Sequence, residues 1–403
     1  MAKQNKIKQA VILAGGRGMR LWPLTDDRPK PMVPVNGRPF LEYLVDLLKE
    51  NGVKEIVMLL GYLPEKITEH FGNGSKFGVK IKYSIGAIDD ETGTRINNAR
   101  DLLDEHFVLS YCDNYWPINL SKMSDFYFNK GVVGTMTAYN NKDGGGEYGP
   151  RNNLNISDGG MVKKYLVGDY SEDPVYNAID AGVFILDKKI LGLMPEGNFS
   201  FQKEILPKLV ASGQLAAFRM DHPYCAITSM ETLASAEKFL KQKKVIFLDR
   251  DGVINKRMPP HEYAKNVADF EFLPGAVASL KKLKDAGYKI FLVTNQAGIA
   301  KGLMSEADLQ KIHEYMFGEL AKAGTTIDGI YFCSHGYSDG CDCRKPKPGL
   351  FFKAARENFL DLTKTLFIGD SETDAEAALA AGCKFELASG TRTLEAIVSD
   401  LIR

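Results

Sequence analysis

Two apolar runs stand out along the chain, QAVILAGG at residues 9–16 and KVIFLDRDG at 244–252, each rich in β-formers and each ending abruptly in glycine or acid. Such a run stopped by a turn signal predicts a strand, and each is expected to open its own parallel α/β sheet. After the first, FLEYLVDLLKENG repeats apolar residues three and four apart and stops at Asn51-Gly52, predicting a helix. The strand EIVMLLG follows and completes a βαβ unit, and further strands are predicted at HFVLSYCDN, GVVGTMTAY and DAGVFILD, with glycine-rich loops such as DGGGEYGP at 143–150 between them. After the second run the order is strand KVIFLD, helix AVASLKKLKDAG, strand KIFLVTN, helix EADLQKIHEYMFGELAKAG, strand GIYFC, helix GLFFKAARENF and strand TLFIGD. That alternation predicts a doubly wound sheet whose sites lie at the carboxyl ends of its strands. Residues 231–243 (ETLASAEKFLKQK) read as an amphipathic helix with a lysine-rich tail, so the expected domains are 1–243 and 244–403.

Length supports the division, because 403 residues exceed what one hydrophobic core usually serves. Charge removes partners from consideration: 51 basic residues balance 51 acidic ones, leaving no field to attract nucleic acid or an anionic membrane. Phosphate binding must then come from local sites. No apolar run approaches the ~18 residues that span a bilayer, and the basic lead MAKQNKIK passes straight into a strand, so neither a membrane segment nor a signal peptide is expected. Six cysteines make no disulfide framework, and a cytoplasmic protein is expected. Cys225 and Cys383 read as small core residues.

The second half carries the denser chemistry. Asp249 and Asp251 end a buried strand where Gly252 turns the chain, so one carboxylate can attack phosphorus while the other handles protons. Asp370, ending the strand TLFIG, supplies a carboxylate for a cation; Thr294 and Asn295 offer a hydroxyl and an amide for phosphate, and Lys345 a fixed positive charge. Cys333-x-His335 and Cys341-x-Cys343 put three thiolates and an imidazole within eleven residues, a set suited to a structural tetrahedral Zn²⁺ that would brace the loop carrying Arg344 and Lys345.

The ordered motifs DRDGV, VTN, RKPKPG and GDSETD resemble the haloacid dehalogenase superfamily, and CxH...CxCRKPKPG with DRDGVIN and TNQAGIAKG resembles its heptose bisphosphate and histidinol phosphate phosphatases. The resemblance implies a nucleophile at Asp249, a general acid/base at Asp251, magnesium at Asp249, Asp251 and Asp370, and Lys345 holding nucleophile and phosphate together. Asp374 stands where many members have a further acid, or is a helix N-terminal charge. It also implies almost no cap domain, which the short stretch 253–272 matches, and an open site where Arg344 grips the distant part of a sugar or polyol phosphate.

In the first half the loop after the strand offers N–H groups at Gly15, Gly16 and Gly18 for a triphosphate, with Arg20 and Lys30 to neutralise it. The string GGxGxRLxPLTxxxPKPMxPVxxRP resembles the sugar-phosphate nucleotidylyltransferases over residues 9–240, which implies a Rossmann-like domain, a magnesium-binding aspartate at Asp113, and in-line attack of a sugar phosphate on a nucleoside triphosphate. The chain departs from the family at Met19, at the recognition loop Gly93-Thr94-Arg95-Ile96-Asn97, after Tyr165, and at Ala226, where a second magnesium aspartate would stand; Asp180 or Asp221 could substitute.

Joined, the two resemblances imply consecutive steps: D-glycero-D-manno-heptose 1,7-bisphosphate loses its 7-phosphate, and the 1-phosphate is activated with an NTP, GTP first among the choices. Three other readings stay open: a CDP-activated polyol, a phosphatase whose first domain only binds nucleotide, and histidinol phosphate. Assembly of identical chains is also left open.

Overall fold

The computed structural model describes residues 7–142, 144, 149–259 and 262–403, and it divides into two compact units, Met1–Leu240 and Lys241–Arg403. The basic lead before Ile7 and most of the DGGGEYGP loop lie outside the described residues.

The first unit is built on seven strands: β1 (Gln9–Ala14), β2 (Glu55–Leu60), β3 (Lys80–Ile85), β4 (His106–Tyr111), β5 (Gly134–Tyr139), β6 (Ile179–Asp187) and β7 (Leu215–Met220). They lie in the order β7-β5-β6-β4-β1-β2-β3, with β1 buried along its whole length. Every pairing is parallel except those of β6, which runs antiparallel to both β4 and β5. The departure from a purely parallel sheet has a local cause. A parallel return needs a crossover, usually a helix, whereas the described residues between β5 and β6 form a small antiparallel ladder of Leu154–Ile156 with Val162–Tyr165. Val11, Leu13, Val57, Leu59, Phe107 and Leu109 point alternately from their strands into one core with Ile96, Phe184 and Phe201. The predicted helix over FLEYLVDLLKENG is found at Phe40–Glu50, and the one over 231–243 at Met230–Leu240, its lysine-rich tail falling beyond the last turn.

The second unit has five strands, β8 (Val245–Leu248), β9 (Lys289–Asn295), β10 (Gly329–Cys333), β11 (Leu366–Gly369) and β12 (Lys384–Leu387), all parallel in the order β10-β9-β8-β11-β12. Alternation along the strands makes it doubly wound. Ile246, Leu248, Ile290, Leu292 and Ile368 face helices Ala276–Asp285 and Glu306–Lys322, while Phe247, Phe291, Val293 and Phe367 face helices Gly349–Asn358 and Glu372–Ala381. The chain winds outward from β8 in one direction through β9 and β10, then in the other through β11 and β12, so the topological switch point falls between β8 and β11. Asp249 and Asp370 follow those two strands. Among the described residues of 253–275 the only helical piece is the turn Val267–Asp269, and single bridges tie Asn255 to Asp251 and to Phe272, so no inserted domain covers this edge.

Phe351 is fully buried edge-on to Phe247 and Phe367, with ring centroids 5.3 and 4.9 Å apart. Phe351→Ala is expected to cost the second unit about 3–5 kcal/mol, measured by urea denaturation followed by circular dichroism; a loss below about 1 kcal/mol would show that this aromatic cluster is not the core.

Candidate active sites and a candidate metal loop

At the switch point the Asp249 N–H donates to the Ile368 carbonyl at 2.9 Å, seating the residue over the junction of β8 and β11. Lys345 Nζ lies 2.9 Å from Asp249 Oδ1 and 2.6 Å from Asp374 Oδ1, and donates to the Val293 carbonyl at 2.8 Å. All three side chains are buried. Asp374 serves twice. It is N3 of a capping box with Ser371 at the start of helix Glu372–Ala381, its Oδ2 accepting from the N–H groups of Asp370 and Ser371, while Oδ1 faces Lys345.

Burial, offset only in part by Lys345, pushes the Asp249 carboxyl well above the usual carboxylate range, and burial raises Asp370 too. Asp249, Asp370 and Asp374 offer oxygens within 4.8 Å of one another. Three carboxylates gathered around the single buried ammonium of Lys345 leave an excess of negative charge on hard oxygen donors, the chemistry that fits a divalent cation. Gly252 has φ 95°, and a Cβ there would overlap the Asp370 carboxylate, so only glycine lets the chain turn under the group.

Asp251 was expected among the cation ligands, and its carboxylate lies elsewhere. It accepts from Arg250 Nη2 at 2.9 Å, Asn255 Nδ2 at 2.9 Å and Gln296 Nε2 at 2.9 Å, and the member that joins Asp249 and Asp370 is Asp374. Despite burial, these donors hold the Asp251 carboxyl below its ordinary range. Thr294 Oγ1 accepts from Gln296 Nε2 at 3.0 Å. Asn295 clasps the main chain of Lys345 through both ends of its amide, at 3.1 and 3.0 Å, so it positions the lysine loop. The sequence reading missed Arg250, Gln296 and Arg257; Arg257 Nη1 lies 3.1 Å from Asp370 Oδ2. A charged residue flanked by acids inside DRDG was the available signal for Arg250, which is 1% exposed.

Cys333, His335, Cys341 and Cys343 converge, with Sγ–Sγ separations of 3.7 Å (333–341) and 3.2 Å (333–343) and His335 Nδ1 3.2 Å from Cys343 Sγ. A disulfide would need about 2.05 Å, whereas a tetrahedron with metal–sulfur bonds of about 2.3 Å has edges of roughly 3.7 Å. The four donors could therefore hold one metal ion. Arg344, next in the chain, lies with Cζ 4.0 Å over the Tyr337 ring and lines a cavity of about 670 Å³ with Asp249, Asp251, Asn295, Lys345 and Asp370.

In the first unit a cavity of about 440 Å³ is lined by Gly15, Gly16, Gly18, Arg20, Lys30 and Asp113. Gly18 has φ 68°, and a Cβ there would come within 2.7 Å of Lys30 Cβ, so glycine permits the lysine's approach. Lys30 Nζ is 2.6 Å from Asp113 Oδ2 just beyond β4, while Met19 is 70% exposed. Position 226 is indeed beside Asp113: Ala226 pairs with Asn114, and the Ile227 N–H donates to the Asp113 carbonyl at 2.9 Å. It brings a methyl group. Asp180 accepts from the Tyr165 hydroxyl at 2.8 Å and the Gly182 N–H at 2.9 Å, its carboxyl pushed up to about 6 by burial. Among the described residues no cluster of three or more candidate ligands includes Asp113, Asp180 or Asp221. The segment Gly93–Asn97, read as a loop, lies in helix Thr92–Asn98, anchored where the N–H groups of Gly93 and Thr94 meet the Phe199 carbonyl.

Fold and sites together define a two-unit α/β enzyme of phosphate chemistry. The nucleotidyl transferase profile matches residues 9–243, the haloacid dehalogenase-like hydrolase profile matches 226–382, and the chain belongs to both families, one in each half. A D-glycero-beta-D-manno-heptose-1,7-bisphosphate 7-phosphatase of Haemophilus ducreyi is 41% identical over 165 residues, 39% of this chain and 88% of that protein. Among solved structures, D,D-heptose 1.7-bisphosphate phosphatase from B. bronchiseptica complexed with magnesium and phosphate is 36% identical over 40% of this chain and 98% of its own, with TM-score 0.38. HddC from Yersinia pseudotuberculosis is 26% identical over 58% and 100%, with TM-score 0.49. Among the described residues no helix is long and apolar enough to cross a membrane.

Lys345→Met would leave Asp249 and Asp374 facing each other without their shared cation. In magnesium-free buffer it is expected to destabilise the second unit by about 3–5 kcal/mol by denaturant titration, and an unchanged midpoint would contradict the ion-pair geometry.

Proposed function

We propose that the second unit hydrolyses the 7-phosphate of D-glycero-β-D-manno-heptose 1,7-bisphosphate and the first transfers a nucleotidyl group from an NTP to the remaining 1-phosphate. One observation carries the reading. The half that matches the 7-phosphatases is fused to a nucleotidyl transferase, the family that consumes the anomeric phosphate such a hydrolysis leaves behind.

Asp249 attacks the phosphorus and becomes an acyl phosphate as the P–O bond to the C7 oxygen breaks, and Asp251, ionised among Arg250, Asn255 and Gln296 in the free enzyme, takes up a solvent proton as substrate binds and passes it to the leaving alkoxide. Asp251 then takes a proton from the water that attacks the acyl phosphate, releasing inorganic phosphate and restoring Asp249. Lys345 holds the nucleophile and the phosphoryl oxygens, and Asn295 fixes the lysine's main chain. Magnesium held by Asp249, Asp370 and Asp374 would neutralise the phosphoryl oxygens. Arg344, stacked on Tyr337, meets the distant end of the substrate. The four-donor loop is assigned to zinc, which would fix the segment that delivers Arg344 and Lys345.

In the first unit the N–H groups of Gly15, Gly16 and Gly18, with Arg20 and Lys30, align the triphosphate for in-line attack by the sugar phosphate, and pyrophosphate leaves. Asp113 would be the carboxylate that holds magnesium there, with Ala226 supplying no second one, and the metal would neutralise the triphosphate's charge. The same methyl group favours a second reading, in which this unit binds nucleotide without turnover. No disulfide joins any of the six cysteines, which suits a reducing compartment, and we place the enzyme in the cytoplasm.

Phosphate release from the heptose bisphosphate is expected to fall at least 10³-fold in Asp249→Asn, while Lys30→Ala lowers pyrophosphate release from NTP plus heptose 1-phosphate about 10²-fold and spares phosphate release. Full hydrolysis by Asp249→Asn sinks the phosphatase assignment, and wild-type enzyme that makes no pyrophosphate with any NTP favours the second reading. The chain is also expected to carry about one zinc by elemental analysis, lost in Cys343→Ser; protein purified zinc-free yet fully active would remove the assignment.

A further inference from the structure

Helix Glu306–Lys322 buries Leu309, Ile312, His313, Met316 and Leu320, so an imidazole lies on an otherwise apolar face. His313 is 4% exposed and edge-on to Phe332, with 6.3 Å between ring centroids, and it is not part of the lining of the second unit's cavity. A buried polar ring calls for a hydrogen-bond partner. Here the partner is Arg250, whose Nη1 lies 3.4 Å from His313 Nε2. An arginine only donates, so Nε2 accepts, and the ring is neutral with its proton on Nδ1. Burial, and the Arg250 charge after it, push the imidazole down to about 4, so it stays neutral at physiological pH.

Arg250 shares its donors between that ring and one carboxylate. Nη2 donates to both oxygens of Asp251, at 3.0 and 2.9 Å, and Nε to Oδ1 at 3.3 Å. Nη2 also reaches Gln296 Oε1 at 3.2 Å, and Gln296 closes the circuit by donating from Nε2 to Asp251 Oδ2 at 2.9 Å. The guanidinium is planar and its donors form a rigid fork. A contact at Nη1 therefore sets how the opposite edge, Nε and Nη2, meets the carboxylate. Asp251 itself lines the cavity beside Asp249, so the oriented group is the one that faces substrate.

We infer that His313 is a positioning residue of the phosphatase: it fixes Arg250, and through Arg250 the Asp251 carboxylate, in the orientation that passes a proton to the leaving alkoxide. The inference rests on the hydrolysis proposed above. Only one step needs that orientation. A sugar alkoxide cannot depart without a proton, whereas p-nitrophenolate can, so p-nitrophenyl phosphate reports the nucleophile and the fold but not the acid.

The test compares kcat/KM of the full chain for the heptose bisphosphate and for p-nitrophenyl phosphate, a quantity that ends with formation of the acyl phosphate and is blind to its hydrolysis. His313→Leu is expected to lower the value for the heptose ester about 10²-fold and to leave that for the nitrophenyl ester within about threefold of wild type. His313→Gln offers an amide oxygen in place of Nε2 and should bring the heptose ester back to within about fivefold of wild type. A histidine that only supports the fold would lower both esters together. Should His313→Leu fail to fold, His313→Asn, whose shorter amide falls short of Nη1, is read by the same split. In labelled wild-type protein the imidazole nitrogen shifts should show Nε2 unprotonated at neutral pH, and a proton on Nε2 overturns the inference whatever the variants do. Equal losses on both esters, no loss on either, or a glutamine variant as impaired as the leucine one also overturn it. Wild-type enzyme that hydrolyses neither ester fails the phosphatase reading itself and takes the inference with it.

Discussion

One buried ammonium group organises the phosphatase half: Lys345, held between Asp249 and Asp374 at 2.9 and 2.6 Å and tied to the end of β9 through Val293. Two carboxylates and one lysine leave a negative excess where water is excluded, and Asp370 adds to it. Such a site is costly unless a cation enters. Burial first, and the neighbouring carboxylates after it, push the Asp249 carboxyl upward, so a proton can take the cation's place. A divalent ion would restore the ionised carboxylate that must act as nucleophile, coupling metal binding to activation.

Much else follows from bringing that lysine to the switch point. It lies on a loop, far in sequence from β8, so the loop needs independent support. Asn295 grips its main chain, and the Cys333–Cys343 cluster lies immediately before it. Asp374 reaches the lysine because it also caps a helix: the same carboxylate starts helix Glu372–Ala381 and completes the charge set.

The winding of the second unit from β8 to β11 was legible in the sequence because those four strands are apolar runs and the three helices between them have a clear period. The edge strand β12 and the helices Glu372–Ala381 and Leu394–Ile402 were not read, since KFEL is short and half polar and the first of those helices is alanine-rich with little amphipathic signal. Site residues that close a motif, such as Asp249, Lys345 and the cysteines, could be read from spacing. The direction a side chain takes could not. The Asp251 carboxylate, expected at the cation, is held by Arg250, Asn255 and Gln296 instead, while a capping box brings Asp374 beside Asp249 and Asp370. In the first unit Ala226 lies beside Asp113, while the helix Thr92–Asn98 was read as a loop because two glycine positions of a familiar motif had become Arg95 and Ile96. Arg95 is buried against the carbonyls of Gly15, Leu60, Ala87 and Ile88, a placement that needs segments far apart in sequence to be brought together.

The claim that a buried carboxylate at the switch point does the covalent work is tested most directly by mass spectrometry of enzyme acid-quenched during turnover, using Asp251→Asn to slow breakdown of the intermediate. The account predicts one phosphoryl group on the peptide containing Asp249. Turnover with that peptide unmodified, or with the phosphoryl group on another residue, would contradict it.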